Sequence, residues 1–71
     1  MPAVRGDEIR RRRQRLGLKL GEFSVVARVK YQTLANIESG CQQPSIEIVY
    51  RLAGALGAEA EELLVNAADA A

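Results

Sequence analysis

Seventy-one residues with a single cysteine, Cys41, make one small domain that must hold by apolar packing, because no intramolecular disulfide is open to it. Histidine is absent and one thiol cannot build a zinc site, so no metal or other cofactor is expected. The formal net charge of +1 hides a division: residues 1–38 carry nine Lys/Arg against four Asp/Glu (net +5), and residues 39–71 carry one against five (net −4).

Such asymmetry fits nucleic-acid binding by the basic end, and equally a solvated helix face with a chance bias. The chain opens on Met1-Pro2-Ala3-Val4-Arg5, which lacks the apolar core of a secretion signal. No apolar run approaches the roughly 18 residues of a membrane span. The expectation is a soluble domain in the reducing cytoplasm with no membrane partner.

Glycine and proline divide the sequence into five short helices. The first runs from about Asp7 to Leu16, between the start signal Gly6-Asp7 and the stop Gly17. Its apolar residues, Ile9 and Leu16, stand a heptad apart on one face. The second spans Leu20 to Ala27, with Phe23, Val26 and Ala27 at the spacing of a single face. In the third, Tyr31 to Ser39, Leu34 and Ile37 turn inward, and Gly40 supplies a left-handed stop. Gln42-Gln43-Pro44 connects to Ser45, the cap of a fourth helix reaching about Leu56, whose inner face is Ile48, Val49, Leu52, Ala53 and Leu56. After Gly57 a fifth helix, about Glu59 to Val65, buries Leu63, with Leu64 as a second candidate. Period-two alternation is absent, so no sheet is expected. The chain is predicted to be a single all-α domain over 1–71 with an ordered core at about 7–65, its Ala67-Ala68-Asp69-Ala70-Ala71 tail frayed.

Helices two and three are joined by only Arg28-Val29-Lys30, the tight connection of a helix-turn-helix unit. Phe23 and Ala27, Val29 in the turn, and Leu34 and Ile37 beyond it would share one small core. Ser24 falls where the two helices cross most closely and a small side chain is required. The pattern alone also fits helical hairpins that never touch DNA.

Longer blocks narrow the reading. Arg13-Gln14-Arg15-Leu16-Gly17-Leu18, Glu22-Phe23-Ser24, Leu34-Ala35-Asn36-Ile37-Glu38-Ser39-Gly40, Pro44-Ser45, Leu52-Ala53-Gly54-Ala55-Leu56-Gly57 and Glu62-Leu63-Leu64 together resemble the Cro/Xre family of phage repressors and bacterial regulators. The resemblance covers about residues 7–65. It implies a lambda-repressor-like DNA-binding domain of five helices, with the third helix entering the major groove.

The roles it implies follow residue by residue. Tyr31, Gln32 and Asn36, with Ala35 between them and Thr33 at the edge, become the base-reading face. Gln32 and Asn36 stand four apart, and amides suit adenine because they donate to N7 and accept from N6. Lys19, Lys30, Ser39 and Gln42 become phosphate contacts, which fix register without reading sequence. Arg13 and Glu38 match a pair that bridges the first and third helices. A homodimer is implied, with its interface near the C-terminal end, at Leu56, Leu63, Leu64 and Val65.

Three residues depart from the family pattern. Leu20 stands where a glutamine usually bridges phosphate to the recognition helix, and points instead to a thymine methyl or a partner protein. Arg28 replaces the usual turn glycine, and Lys30 replaces a Ser/Thr cap, forfeiting about 1 kcal/mol. The resulting expectation is a bacterial, nucleoid-associated, dimeric repressor bound to double-stranded operator DNA, with no small-molecule ligand evident. The alternative is an antitoxin or protein-interaction module whose DNA binding is autoregulatory. An enzyme is not expected, since the chain has no histidine and no phosphate loop, and Cys41 has no base beside it.

Overall fold

The computed structural model describes residues 3–65. Its helices are α1 Gly6–Arg15, α2 Leu20–Ala27, α3 Tyr31–Ser39, α4 Ile46–Leu56 and α5 Ala60–Leu63, and two-residue strands β1 Ala3–Val4 and β2 Leu64–Val65 flank them. The all-α class with five helices is the expected one. The alanine-rich tail and the side chain of Val65 lie outside the described residues.

Each helix contributes to one core. Ile9 from α1, Phe23 and Ala27 from α2, Leu34 and Ile37 from α3, Leu52 and Ala53 from α4 and Leu63 from α5 pack together with Val29 of the turn. Ser45 caps α4 by accepting from the Ile48 N–H at 3.4 Å. Gly40 ends α3 at φ 85°, a conformation open to glycine without steric cost, and the Cys41 N–H then donates to the Asn36 carbonyl at 2.9 Å. Among the described residues no helix is long and apolar enough to cross a membrane.

Four expectations need correction. A sheet exists, though a minimal one: β1 and β2 pair antiparallel with Ala3 opposite Val65 and Val4 opposite Leu64. The Arg5 N–H extends this ladder to the Leu63 carbonyl at 2.9 Å. The fifth helix therefore stops at Leu63, because the chain becomes extended to meet β1. Segments of two residues carry no period-two signal, so the pairing left no trace in the sequence. Leu16 is 54% exposed, since α1 ends at Arg15 and the half-buried Leu18 packs on the core in its place. Val26 is 56% exposed, because α2 turns Phe23, Ser24 and Ala27 inward and leaves Val26 on its flank.

The first turn of α1 lies directly on the end of α3. A Cβ on Gly6 would collide with the Ile37 carbonyl oxygen and come within 2.8 Å of the Glu38 carbonyl oxygen, both of them backbone atoms that cannot swing away. Alanine favours a helix over glycine by about 1 kcal/mol. Here the clash decides the sign. Gly6→Ala is expected to destabilise the fold by about 1–3 kcal/mol, the range for overpacking, as read from its chemical denaturation midpoint. A gain in stability would show that α1 and α3 do not touch at this point.

At its other flank α1 meets α5 through a charge bridge. Arg12 donates through Nε to Glu8 at 2.8 Å and pairs through Nη2 with Glu62 at 3.1 Å. The Glu8 carboxyl titrates below the ordinary carboxylate range chiefly because of its hydrogen bond from Arg12. That of Glu62 is lowered first by the backbone N–H of Glu59 and then by Arg12. A lowered folded pKa stabilises the fold above the unfolded value and ceases to do so as pH falls through the folded value. Stability is therefore expected to decline on acidification below the ordinary carboxylate range. Thermal melts against pH should show Arg12→Ala with a shallower acid decline than the parent.

Candidate nucleic-acid interface

The geometry of α2 and α3 begins in the turn between them. Arg28 takes the left-handed conformation at φ 59° and ψ 43°, which costs a non-glycine residue on the order of 1 kcal/mol. Two hydrogen bonds hold it there: the Val29 N–H donates to the Ser24 carbonyl at 3.0 Å, and Arg51 Nη1 on α4 donates to the Arg28 carbonyl at 3.2 Å. Ser24 is buried and donates to the Gly21 carbonyl at 2.6 Å, so the close crossing strands no hydroxyl.

With Leu34 and Ile37 in the core, α3 turns its opposite face outward. Tyr31, Gln32 and Ser39 are exposed there, and Thr33, Ala35 and Asn36 are half-buried. The amides form a chain. Gln32 Nε2 donates to Asn36 Oδ1 at 3.2 Å, and Asn36 Nδ2 donates to Gln42 Oε1 at 3.3 Å. Gln42 is held in place by its own N–H, which donates to the Asn36 carbonyl at 3.2 Å. Ser39 Oγ donates to that carbonyl at 3.1 Å, so in the free protein this hydroxyl is committed to the helix end.

Cations bracket the row. Lys19 precedes α2 with an exposed side chain, while its N–H donates to the Glu22 carboxylate at 2.7 Å. Lys30 precedes α3, exposed and without a side-chain cap. Sequence reasoning missed the link between Gln42 and the outer face of α3, because the link depends on a turn after Gly40 that spacing does not reveal.

Arg13 ties this surface to α1. It is 8% exposed, and its Nε and Nη2 donate to the two oxygens of Glu38 at 2.8 and 3.0 Å. Its Nη1 donates to the Leu18 carbonyl at 2.8 Å. Leu20 is half-buried, packs against the core and lines a cleft beside this pair, so only part of its side chain is free for any partner.

The C-terminal candidates are scattered. Leu63 is fully buried in the chain's own core and offers nothing to a second subunit, which corrects that expectation. Leu56 is half-buried against the core, and Leu64 is half-buried in β2. Among the described residues of this half the large exposed apolar side chains are instead Ile46 and Tyr50, one turn apart on α4. Cys41 is free and exposed.

Residues 9–63 match the family model described as helix-turn-helix. The chain belongs to the Cro/Xre-type helix-turn-helix family. Solved relatives agree. One is SinR in its complex with SinI, 29% identical, matched over 82% of this chain and 57% of that chain at a TM-score of 0.79. SinR of Bacillus subtilis is also known in complex with DNA, again 29% identical over 82% of this chain and 94% of the other, at a TM-score of 0.78. The restriction-modification controller protein C.AhdI from Aeromonas hydrophila is 26% identical over 82% of this chain and 88% of its own, at a TM-score of 0.78. No curated protein sequence matches the chain.

Within this family fold the Arg13–Glu38 pair stands between α1 and α3. Removing one half of a buried pair leaves the other desolvated and costs about 3–5 kcal/mol, against a total of about 5 kcal/mol for a domain this small. Arg13→Ala is therefore expected to lose most of its cooperative thermal transition. A variant that melted like the parent while losing DNA affinity would make Arg13 a phosphate contact rather than a brace.

Proposed function

We propose that the protein is a sequence-specific DNA-binding regulator of transcription that lays α3 in the major groove of its operator. The reading is carried by the amide row Gln32–Asn36 on the outer face of α3, continued by Gln42 of the turn that follows it, with Lys19 and Lys30 preceding α2 and α3. Gln32 and Asn36 exchange their mutual hydrogen bond for the edges of adenine, with Tyr31 and Thr33 beside them. Lys19, Lys30, Ser39 and Gln42 anchor the backbone. One short helix reads too few base pairs to select a site in a genome, so two copies act together at half-sites about one DNA turn apart. The two-fold contact lies at the C-terminal end, through Leu56, Leu64 and Val65. Repression follows from occupancy of the operator.

A second reading, control by a protein partner, is favoured by the exposed Ile46 and Tyr50. SinR itself forms a complex with SinI. The chain spans just over half of the length of that SinR chain.

Binding to a duplex selected from random DNA is expected to fall by roughly 10³–10⁵ between 50 and 200 mM salt if a dimer neutralises about six to ten phosphates. Gln32→Ala and Asn36→Ala should each cost about 1–3 kcal/mol on the selected duplex and little on a scrambled one. Lys19→Ala should weaken both duplexes alike. Identical losses for both kinds of variant on both duplexes would remove the base-reading assignment.

Sedimentation tests the dimer. Leu64→Glu is expected to retain helical circular dichroism, sediment as a monomer and bind the selected duplex weakly. If Tyr50→Glu produced that monomer and Leu64→Glu did not, the two-fold contact would belong to α4.

A further inference from the structure

Half of the ten cations are held in ion pairs: Arg5, Arg11, Arg12, Arg13 and Arg51. Arg10, Arg15, Lys19, Arg28 and Lys30 form none among the described residues. Lys19 and Lys30 belong to the interface already described, and Arg28 to the turn. The arginines of α1 separate by direction, at 100° per residue. Ile9 and Arg13 turn inward, Arg12 flanks toward Glu62, and Arg11 and Arg15 project outward. Arg10 lies on the flank opposite Arg12.

On that flank a shallow cleft opens between α1, the start of α2 and α3, lined by Arg10, Arg13, Leu20, Ala35, Glu38 and Ser39. Its only acid is spent, since both oxygens of Glu38 accept from Arg13. Its second guanidinium is spent too, with the remaining Arg13 nitrogen on the Leu18 carbonyl. Leu20 and Ala35 have no group to offer an ion, and Ser39 Oγ is turned to the Asn36 carbonyl. Arg10 therefore overlooks a concave surface that neither neutralises it nor hydrogen-bonds it. The same surface borders Lys19 through Leu20, and Asn36 through Ala35.

We infer that Arg10 grips a DNA phosphate at the mouth of this cleft and so extends the DNA interface from α2 and α3 onto α1. A guanidinium suits the task, because its planar fork meets two phosphate oxygens at once and stays charged at every working pH. The apolar floor of Leu20 and Ala35 lets its stem lie flat with the head at the rim. Such a contact carries no base preference; it sets the angle at which α1, and through Arg13 the recognition helix, meets the duplex. The inference rests on the DNA-binding reading above.

The test is the salt dependence of affinity, measured by fluorescence anisotropy on a selected and a scrambled duplex. Arg10→Gln, Arg10→Lys, Lys19→Ala and Arg15→Ala are compared with the parent, each checked for an unchanged melt. Arg10→Gln is expected to weaken both duplexes alike and to lower the slope of log affinity against log salt by about two units, one contact being lost in each subunit of the dimer. Arg10→Lys should restore most of that slope, and Arg15→Ala should leave it unchanged. If Lys19→Ala lowered the slope and Arg10→Gln did not, Arg10 would be no phosphate contact while the DNA-binding reading stood. A parent without salt-dependent binding would overturn that reading and the inference with it.

Discussion

Arg13 reaches from α1 to the Glu38 carboxylate on α3 and to the Leu18 carbonyl in the chain between α1 and α2, three hydrogen bonds from one guanidinium. Gly6, seven residues earlier, lies flat against the α3 backbone at Ile37 and Glu38. One contact is a tether and the other a stop. Together they hold the end of α3 at a set height above α1, while Leu34 and Ile37 hold its inner face in the core. What remains free is the outer face, and its pitch is no longer adjustable. The base-reading role proposed for α3 needs that rigidity, because a displacement of about 1 Å at a working group is enough to spoil its geometry.

The charges sort themselves around the same clamp. Arg12 is drawn to Glu8 and Glu62 on the far flank, where it ties α1 to α5. Arg51 is drawn to Glu47 and to the strained carbonyl of Arg28. Acids thus take up the basic residues that serve the fold. Of the five without an ion pair among the described residues, Arg15 projects outward from α1 and Arg28 sits in the turn, while Arg10, Lys19 and Lys30 stand on α1 and just before α2 and α3, a cationic side that a net charge near zero conceals. Such a face attracts phosphate over a distance of about a Debye length, roughly 8–10 Å in physiological salt.

Much of this was legible in the chain. Gly17, Gly40, Gly57 and Ser45 mark helix ends where the structure has them, and the three-residue connection at 28–30 defined the unit of α2 and α3. The family blocks named Arg13 and Glu38 as a pair, and the structure has the bridge at 2.8 Å. Other features depend on contacts that no spacing encodes. Gly6 read as a start signal, yet its missing Cβ is required by the backbone of a helix some thirty residues away. The strands are too short to alternate, and they form because the two ends of the domain meet. Leu16 and Leu63 both fit an apolar face, but only Leu63 lies where the core continues. The amide of Gln42 joins the row of Gln32 and Asn36 only because the turn after Gly40 brings it beside Asn36.

The most direct measurement is a backbone amide NMR titration of the protein with a duplex selected from random DNA. If the clamp presents one face to the groove, the largest shift changes will fall on residues 19–21, 30–36 and 39–42, with a weaker set around Arg10. The α4 amides near Ile46 and Tyr50 will stay in place, apart from changes a dimer contact adds at the C-terminal end. Changes centred on α4 and α5, with α3 undisturbed at saturating DNA, would contradict it.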